Sequence, residues 1–199
     1  MSAHPESLVR HVLCAVPQLV DPNFRRAVVL MLDHDDEGAL GLVVNHLGRN
    51  HIADVVPGLG LRWCGPTRAR VRIGGPVSPS RGWILHDDAH WDPAAQALMP
   101  ELWLTTSLEH VVDAGHQDTG AGDSRVMFLL GYAGWAPQQL EAECAQGSWL
   151  PVPIGGDAPL SSRWLFETPP DQMWEAALRA IGIDPGRVSG LLGGRVGSA

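Results

Sequence analysis

Apolar and polar positions along the chain alternate in short runs, broken by polar stretches rich in glycine and proline, which is the signature of many short strands with a few helices. Residues 12–16 are apolar on both faces and predict an interior strand. Asp21-Pro22-Asn23-Phe24 reads as a turn that opens a helical turn. Residues 27–33 (AVVLMLD) and 39–45 (ALGLVVN) then form two strand-type runs linked by the polar residues 34–38, which predicts a hairpin. Residues 46–70 carry one amphipathic piece, 52–56, in a Gly- and Pro-rich context and predict an irregular insert. Residues 71–73 and 83–86 read as strands on either side of a tight Gly74-Gly75-Pro76-Val77 connection. Residues 101–105 alternate like a strand. They lead into Thr106-Ser107-Leu108-Glu109, a capping box that predicts a helix over 106–114 closed by Gly115.

The chain is organised around residues 125–149. An apolar run, 126–130, is expected to end in a glycine turn, Gly131-Tyr132-Ala133-Gly134-Trp135, and to feed a helix from Pro137. Leu140, Cys144 and Trp149 then recur at spacings that face one core. Residues 150–154 are kept extended by their prolines, and 160–166 contain another short extended piece. Thr168-Pro169-Pro170-Asp171 predicts a helix start with Thr168 as cap and Asp171 at the positive end of the dipole. Met173, Trp174, Ala177, Leu178 and Ile181 recur at helical spacing, and Gly182 ends the helix. Residues 1–10 and 191–199 read as loose tails.

Composition narrows the class. At 199 residues with 45% apolar and 18% charged residues, the chain suits one globular domain. No window approaches the ~18 apolar residues of a membrane span, and Pro17 interrupts the apolar part of the N-terminus, so a cytoplasmic location is expected. Three widely spaced cysteines form neither a disulfide framework nor a CxxC site. Cys14 and Cys144 read as small core hydrophobes and Cys64 as a loop thiol open to reagents. The net charge of −8 opposes a general nucleic-acid footprint. All fourteen basic residues are arginines, read as a genomic composition bias. Arg62, Arg68, Arg70 and Arg72 form one basic run, either a solvated face or an anion or partner site.

Candidate chemistry is sparse. The acidic tip Asp33-His34-Asp35-Asp36-Glu37 offers metal-ligand types, but consecutive residues of an extended hairpin do not converge on one ion. His86 and His90 would share a helical face, yet they follow a strand and precede Pro93, and no third ligand has the spacing of a zinc site. Gly74-Gly75-Pro76-Val77 lacks the lysine and helix of a P-loop, and no GxSxG elbow or dinucleotide fingerprint occurs. No cofactor, metal or small-molecule ligand is assigned.

Five segments, in order, resemble the AlgH/YqgE family of bacterial proteins. They are Ala15-Val16-Pro17 with Asp21-Pro22-Asn23-Phe24; Asp33-His34 with residues 37–45; Gly74-Gly75-Pro76-Val77 with Gly82-Trp83-Ile84-Leu85-His86; residues 131–135 with Gln139-Leu140-Glu141 and Trp149-Leu150; and residues 170–185. The resemblance spans about residues 12–186. It implies an α+β domain whose mixed sheet partly closes into a small barrel flanked by helices, a cytoplasmic location, and a proposed regulatory link to alginate synthesis without an established enzymatic activity. The chain departs from the family pattern after Asn45, where His46-Leu47 stands in place of Arg-Pro, and in the 46–70 insert and Gly-rich tail.

Three functional readings follow. The first is a non-catalytic binding or regulatory module with a protein partner, its groove formed by Gly131, Tyr132, Gly134, Trp135, Gly74, Gly75, Trp83, His86 and Asn45; tight packing of the same residues is the competing structural reading. The second is a hydrolase using His34 or His86 with a carboxylate. The third is nucleic-acid binding through the basic run, opposed by the charge.

Overall fold

The computed structural model describes residues 7–19, 21–59, 63, 68–107 and 125–190. Ten strands are formed among them: β1 (His11–Ala15), β2 (Val28–Asp35), β3 (Gly38–Val43), β4 (Leu47–His51), β5 (Arg70–Ile73), β6 (Val77–His86), β7 (Gln96–Met99), β8 (Leu102–Thr105), β9 (Val126–Trp135) and β10 (Trp149–Pro153). The helices are short: α1 (Ile52–Val55), α2 (Gln139–Ala145), α3 (Trp164–Glu167), α4 (Pro170–Ala180) and α5 (Pro185–Gly190). The strands run in the order β10-β1-β2-β3-β9-β6-β8-β7, with β5 joined to β9 and β4 to β5. All neighbours are antiparallel except β5 with β9. The result is the expected α+β class, a curled half-barrel sheet with a few helices.

Burial follows the alternation of side chains along each strand. Val12 and Cys14 face one core cluster, while Leu13 and Ala15 face a second. That two-sided burial is why residues 12–15 of β1 are uniformly apolar. The first cluster lies under α4, where Met173, Trp174, Ala177 and Leu178 are buried. The Trp174 indole N–H reaches the Ala15 carbonyl at 2.8 Å, tying α4 to β1 across most of the sequence. The second cluster joins Val29, Met31 and Val43 to Trp135, Leu140 and Trp149. A third, smaller cluster joins Ile84 and Phe128 to Val71, Trp91 and Ile52 of α1.

Several expectations are corrected. Residues 131–135 are not a turn: β9 continues through Trp135 because β3 supplies partners for Ala133, Gly134 and Trp135. The β2–β3 hairpin is tighter than expected, since His34 and Asp35 belong to β2. The 46–70 stretch contains β4, α1 and a 3-10 turn, Val56–Leu59. Strand β6 begins at Val77 rather than at residue 83, and β7 is a strand that the apolar pattern does not mark. Around 160–166, Leu160 makes a bridge to Ile154, but Trp164–Glu167 is helical. Thr168 does not cap α4, because Pro169 occupies the cap position and no side chain bonds there. Helix α5 likewise has no marker in the apolar pattern. The capping-box helix over 106–114, Arg62, Cys64 and the C-terminal tail lie, wholly or in part, outside the described residues. Of the N-terminal tail, Leu8 is tied down by a bond to His34. No helix among the described residues is long and apolar enough to cross a membrane.

Candidate functional site

The sequence-derived groove residues separate into four places. Five of them meet where the chain crosses β9. Strand β5 lies on one edge of β9, with Ile73 opposite Leu130, and β6 lies on the other, with Val77 opposite Tyr132. Gly74-Gly75-Pro76 must therefore pass over β9 at Gly131. Gly74 donates to the Leu130 carbonyl at 2.7 Å and accepts from Val43 at 2.8 Å, filling the gap between β5 and β3 along β9. Backbone packs directly on backbone. A Cβ at Gly75 would fall inside the Tyr132 peptide group, and one at Gly131 inside the Gly75 carbonyl and 3.1 Å from the Val77 oxygen. Gly131 also has φ +73°. These glycines are spent on the crossing. Beside it, the Arg81 guanidinium stacks 4.2 Å over the Trp83 ring, and Tyr132 meets Trp83 edge-on at 6.1 Å.

Gly134 and Trp135 lie together at the end of β9, opposite Leu40 and Ala39, and Trp135 belongs to the second core. Its indole N–H and that of Trp149 both donate to Glu143 Oε2, at 3.0 and 2.7 Å, and Gln139 holds the other carboxylate oxygen at 2.9 Å. Phe24 stacks on Trp135 and meets Trp149 edge-on. Glu143 was missed in the sequence because nothing in its spacing signals a shared acceptor for two distant indoles.

Asn45 braces the preceding turn. Its Oδ1 accepts the Val28 N–H at 2.8 Å and its Nδ2 donates to the Arg26 carbonyl at 2.9 Å, which holds Arg26 at φ 51°. Next to it, a cleft of about 220 Å³ separates Arg25, Arg26 and His46 from Asp171 and Glu175 of α4. Its mixed charge lining favours no single ligand. A larger hollow of about 470 Å³ lies between Val16, Leu19, Leu150, Ile183 and Val188.

The two candidate catalytic histidines are far from equivalent. His34 is within 3.2 Å of Glu141 Oε1 through Nε2, but its Nδ1 accepts the Leu8 N–H at 3.0 Å. Nε2 therefore carries the proton, and neither ring nitrogen offers a free lone pair to a substrate. His34 links the N-terminal segment, the hairpin and α2. His86, at the far end of β6, is 2% exposed and donates from Nδ1 to the Asp88 carbonyl at 2.9 Å. Its Nε2 lone pair is buried without a partner, as is the Trp91 indole N–H. Trp91 and Trp103 flank the imidazole, with ring centroids at 4.9 and 6.3 Å. Burial lowers the His86 pKa from 6.5, opposed by the Asp88 carbonyl and by the charges of Asp92, Asp88 and Asp87.

No group of three or more His, Cys, Asp or Glu side chains among the described residues is placed to hold a metal ion. Burial pushes the Cys14 thiol up to about 12, and burial together with Glu143 and Glu141 raises that of Cys144. Neither is an activated thiolate. Of the basic run, Arg70 and Arg72 lie on β5, each bonded to a backbone carbonyl, those of Gly48 and Val44. Arg68 is exposed just before β5.

A curled antiparallel half-barrel with one parallel addition at β9 and a glycine crossing over that strand defines an α+β class. The chain belongs to the AlgH-like family, whose model matches residues 12–186. It is 39% identical over 182 residues to a UPF0301 protein of Myxococcus xanthus, covering 90% of this chain and 94% of that one. It is 42% identical over 192 residues to a UPF0301 protein of Anaeromyxobacter sp., covering 91% of each. The solution structure of the AlgH protein from Pseudomonas aeruginosa superposes with a TM-score of 0.70 at 31% identity over the whole of both chains. A crystal structure of a Corynebacterium diphtheriae protein shares the fold, with a TM-score of 0.71 at 20% identity over 95% of this chain and 94% of that one.

Proposed function

We propose that the chain is a non-catalytic binding module with a regulatory role in the bacterial cytoplasm. The observation that carries this reading is where the apolar surface lies. Among the described residues, the large hydrophobic side chains left exposed are Leu47 (43%), Ile73 (49%) and Val77 (37%). All three belong to the β4–β5 hairpin or to the corner that follows it, although three well-filled core clusters lie close by. Leu47 and Ile73 are exposed at the same end of the β4–β5 pair and Val77 just across the glycine crossing, and exposed apolar side chains at such neighbouring positions suit a protein contact. The use of both His34 nitrogens within the fold adds support, because a general base needs a free lone pair.

The test compares wild-type protein with a Leu47→Ser/Ile73→Ser/Val77→Ser variant of equal urea stability in cross-linked capture from a bacterial extract. The reading expects a species retained by wild type and lost by the variant. Identical capture profiles would sink it. One observation favours a hydrolase instead: the free Nε2 lone pair of His86. That reading requires turnover of simple ester or phosphate substrates that disappears in His86→Gln, whereas the binding reading expects no turnover by either protein.

A further inference from the structure

Charge on this chain is segregated. Residues 47–73 hold five arginines and one aspartate, a charge of +4; the rest holds nine arginines and 21 carboxylates, −12, together giving the overall −8. Arg49, Arg68 and Arg70 are exposed. Ion pairs with carboxylates among the described residues go instead to Arg125, Arg163, Arg179 and Arg187. Arg70 and Arg72 are fixed by the Gly48 and Val44 carbonyls. The exposed Arg70 guanidinium is thus oriented before any partner arrives, which reduces the ordering cost of binding, whereas that of Arg72 packs against Met173, and burial lowers its pKa to about 10. The carboxylate in this stretch, Asp54, lies 3.3 Å from His51.

Strand β4 pairs with β5 and, among the described residues, with no other strand. Its outer edge therefore presents main-chain groups beside a basic surface. Leu47 stands opposite Arg72 and His51 opposite Arg70, with an irregularity between the two pairs, so exposed Leu47 and the exposed Arg49 and Arg70 lie close together on the pair while Arg72 turns inward to Met173. Ile73 is exposed at the same end. An extended segment added to β4 would gain main-chain hydrogen bonds, and its alternate side chains would meet those exposed residues.

Resting on the binding-module reading, we propose that the β4–β5 hairpin is a docking edge for an extended protein segment of alternating acidic and apolar residues. A second copy of this chain is a poor occupant, because its own β4 edge carries the same positive charge and like charges guard edges against self-pairing. Nucleic acid is also disfavoured: phosphate has no use for Leu47 and Ile73, and the −12 of the surrounding chain repels it. An acidic, apolar strand matches both the charge and the exposed side chains.

The experiment titrates full-length protein with a short labelled peptide alternating glutamate and leucine. A lysine–leucine peptide and a duplex DNA form separate arms. The glutamate peptide should bind, and binding should weaken as salt is raised. Arg49→Glu/Arg68→Glu, at two exposed positions, should weaken it by about tenfold or more at an unchanged urea midpoint, while Arg49→Lys/Arg68→Lys keeps most of it. Alternate N-methylation of the peptide backbone, which leaves charge intact, should weaken binding to a similar extent. The proposal is overturned by absence of glutamate-peptide binding, by equal affinity of the charge-reversed variant, by indifference to N-methylation, or by tighter binding of DNA. If peptide binding fails while the Leu47/Ile73/Val77 variant still loses its captured partner, this inference falls and the binding-module reading stands.

Discussion

Gly131→Ala isolates the energetic content of the β9 crossing. Two terms act against alanine there. The first is backbone: φ +73° lies in the left-handed region, which costs an L-residue about 1–2 kcal/mol. The second is steric, because the new methyl group would occupy the Gly75 carbonyl, itself held in place by hydrogen bonds of the adjoining Gly74 to Leu130 and Val43. Overpacking of this kind typically costs about 1–3 kcal/mol. Together they give a loss of about 2–5 kcal/mol, a large part of the stability of an ordinary domain. Gly147→Ala supplies the control: Gly147 has φ +74°, but a Cβ there meets nothing within 4 Å. It carries the backbone term alone, about 1–2 kcal/mol. Both variants also stiffen the unfolded chain, and that contribution cancels in the comparison. Urea unfolding followed by tryptophan fluorescence and far-UV circular dichroism gives both values, provided the m-value is unchanged. Equal destabilisation of the two variants would refute the crossing as a steric constraint.

Three other perturbations follow from the same structure. Gln138 precedes α2 at φ 64° with no side-chain cap bond, so Gln138→Gly should raise stability by about 0.5–1 kcal/mol, read as a higher urea midpoint. Glu143→Ala leaves the Trp135 and Trp149 indole N–H groups without their shared acceptor and should cost about 2–4 kcal/mol, while Glu143→Gln, which keeps an acceptor oxygen, should lose less than half as much and change the tryptophan emission less. His86 sets a pH dependence: burial lowers its folded pKa below 6.5, so the unfolded state takes up the proton first. Its stabilising contribution is complete above about pH 6.5 and is lost as pH falls towards the folded value. His46, also lowered by burial, has the same sign. Urea midpoints measured from neutral to mildly acidic pH should fall for wild type, less steeply for His86→Phe, and least for a variant that also removes His46.

Much of the fold was legible because local pattern and tertiary burial agree. Residues 12–15 of β1 are all apolar because both faces of the strand are buried there. Helix α4 shows its helical spacing because one face covers the sheet. The failures fall where a distant partner decides. Gly131 and Gly134 look like turn residues locally, yet Ala133–Trp135 extend β9 because β3 lies alongside. Gly131 serves a crossing chain that is remote in sequence, whereas a Cβ at Gly134 would meet the neighbouring Tyr132 ring. Val77–Arg81 carries a proline and two serines and does not resemble a strand, but Val77 pairs with Tyr132 across an irregularity in β6.

The candidate site was less legible. Glycine and tryptophan marked special positions correctly, but the same residue types serve packing and recognition. Trp135 turns inward to Glu143, Asn45 braces a turn, and His86 closes a small aromatic core. Arg68, Arg70 and Arg72 stood out as a basic run. Their association with Leu47 and Ile73 becomes visible only when β4 pairs with β5.

The most direct test of a binding surface at β4–β5, as opposed to the glycine crossing or the His86 core, is residue-resolved amide chemical-shift mapping during titration with the glutamate–leucine peptide. The account predicts progressive shifts in residues 47–51 and 68–77, with the amides of residues 133–135 and 84–86 unchanged. Shifts centred on Tyr132 to Trp135 or on His86, with β4 silent, would contradict it.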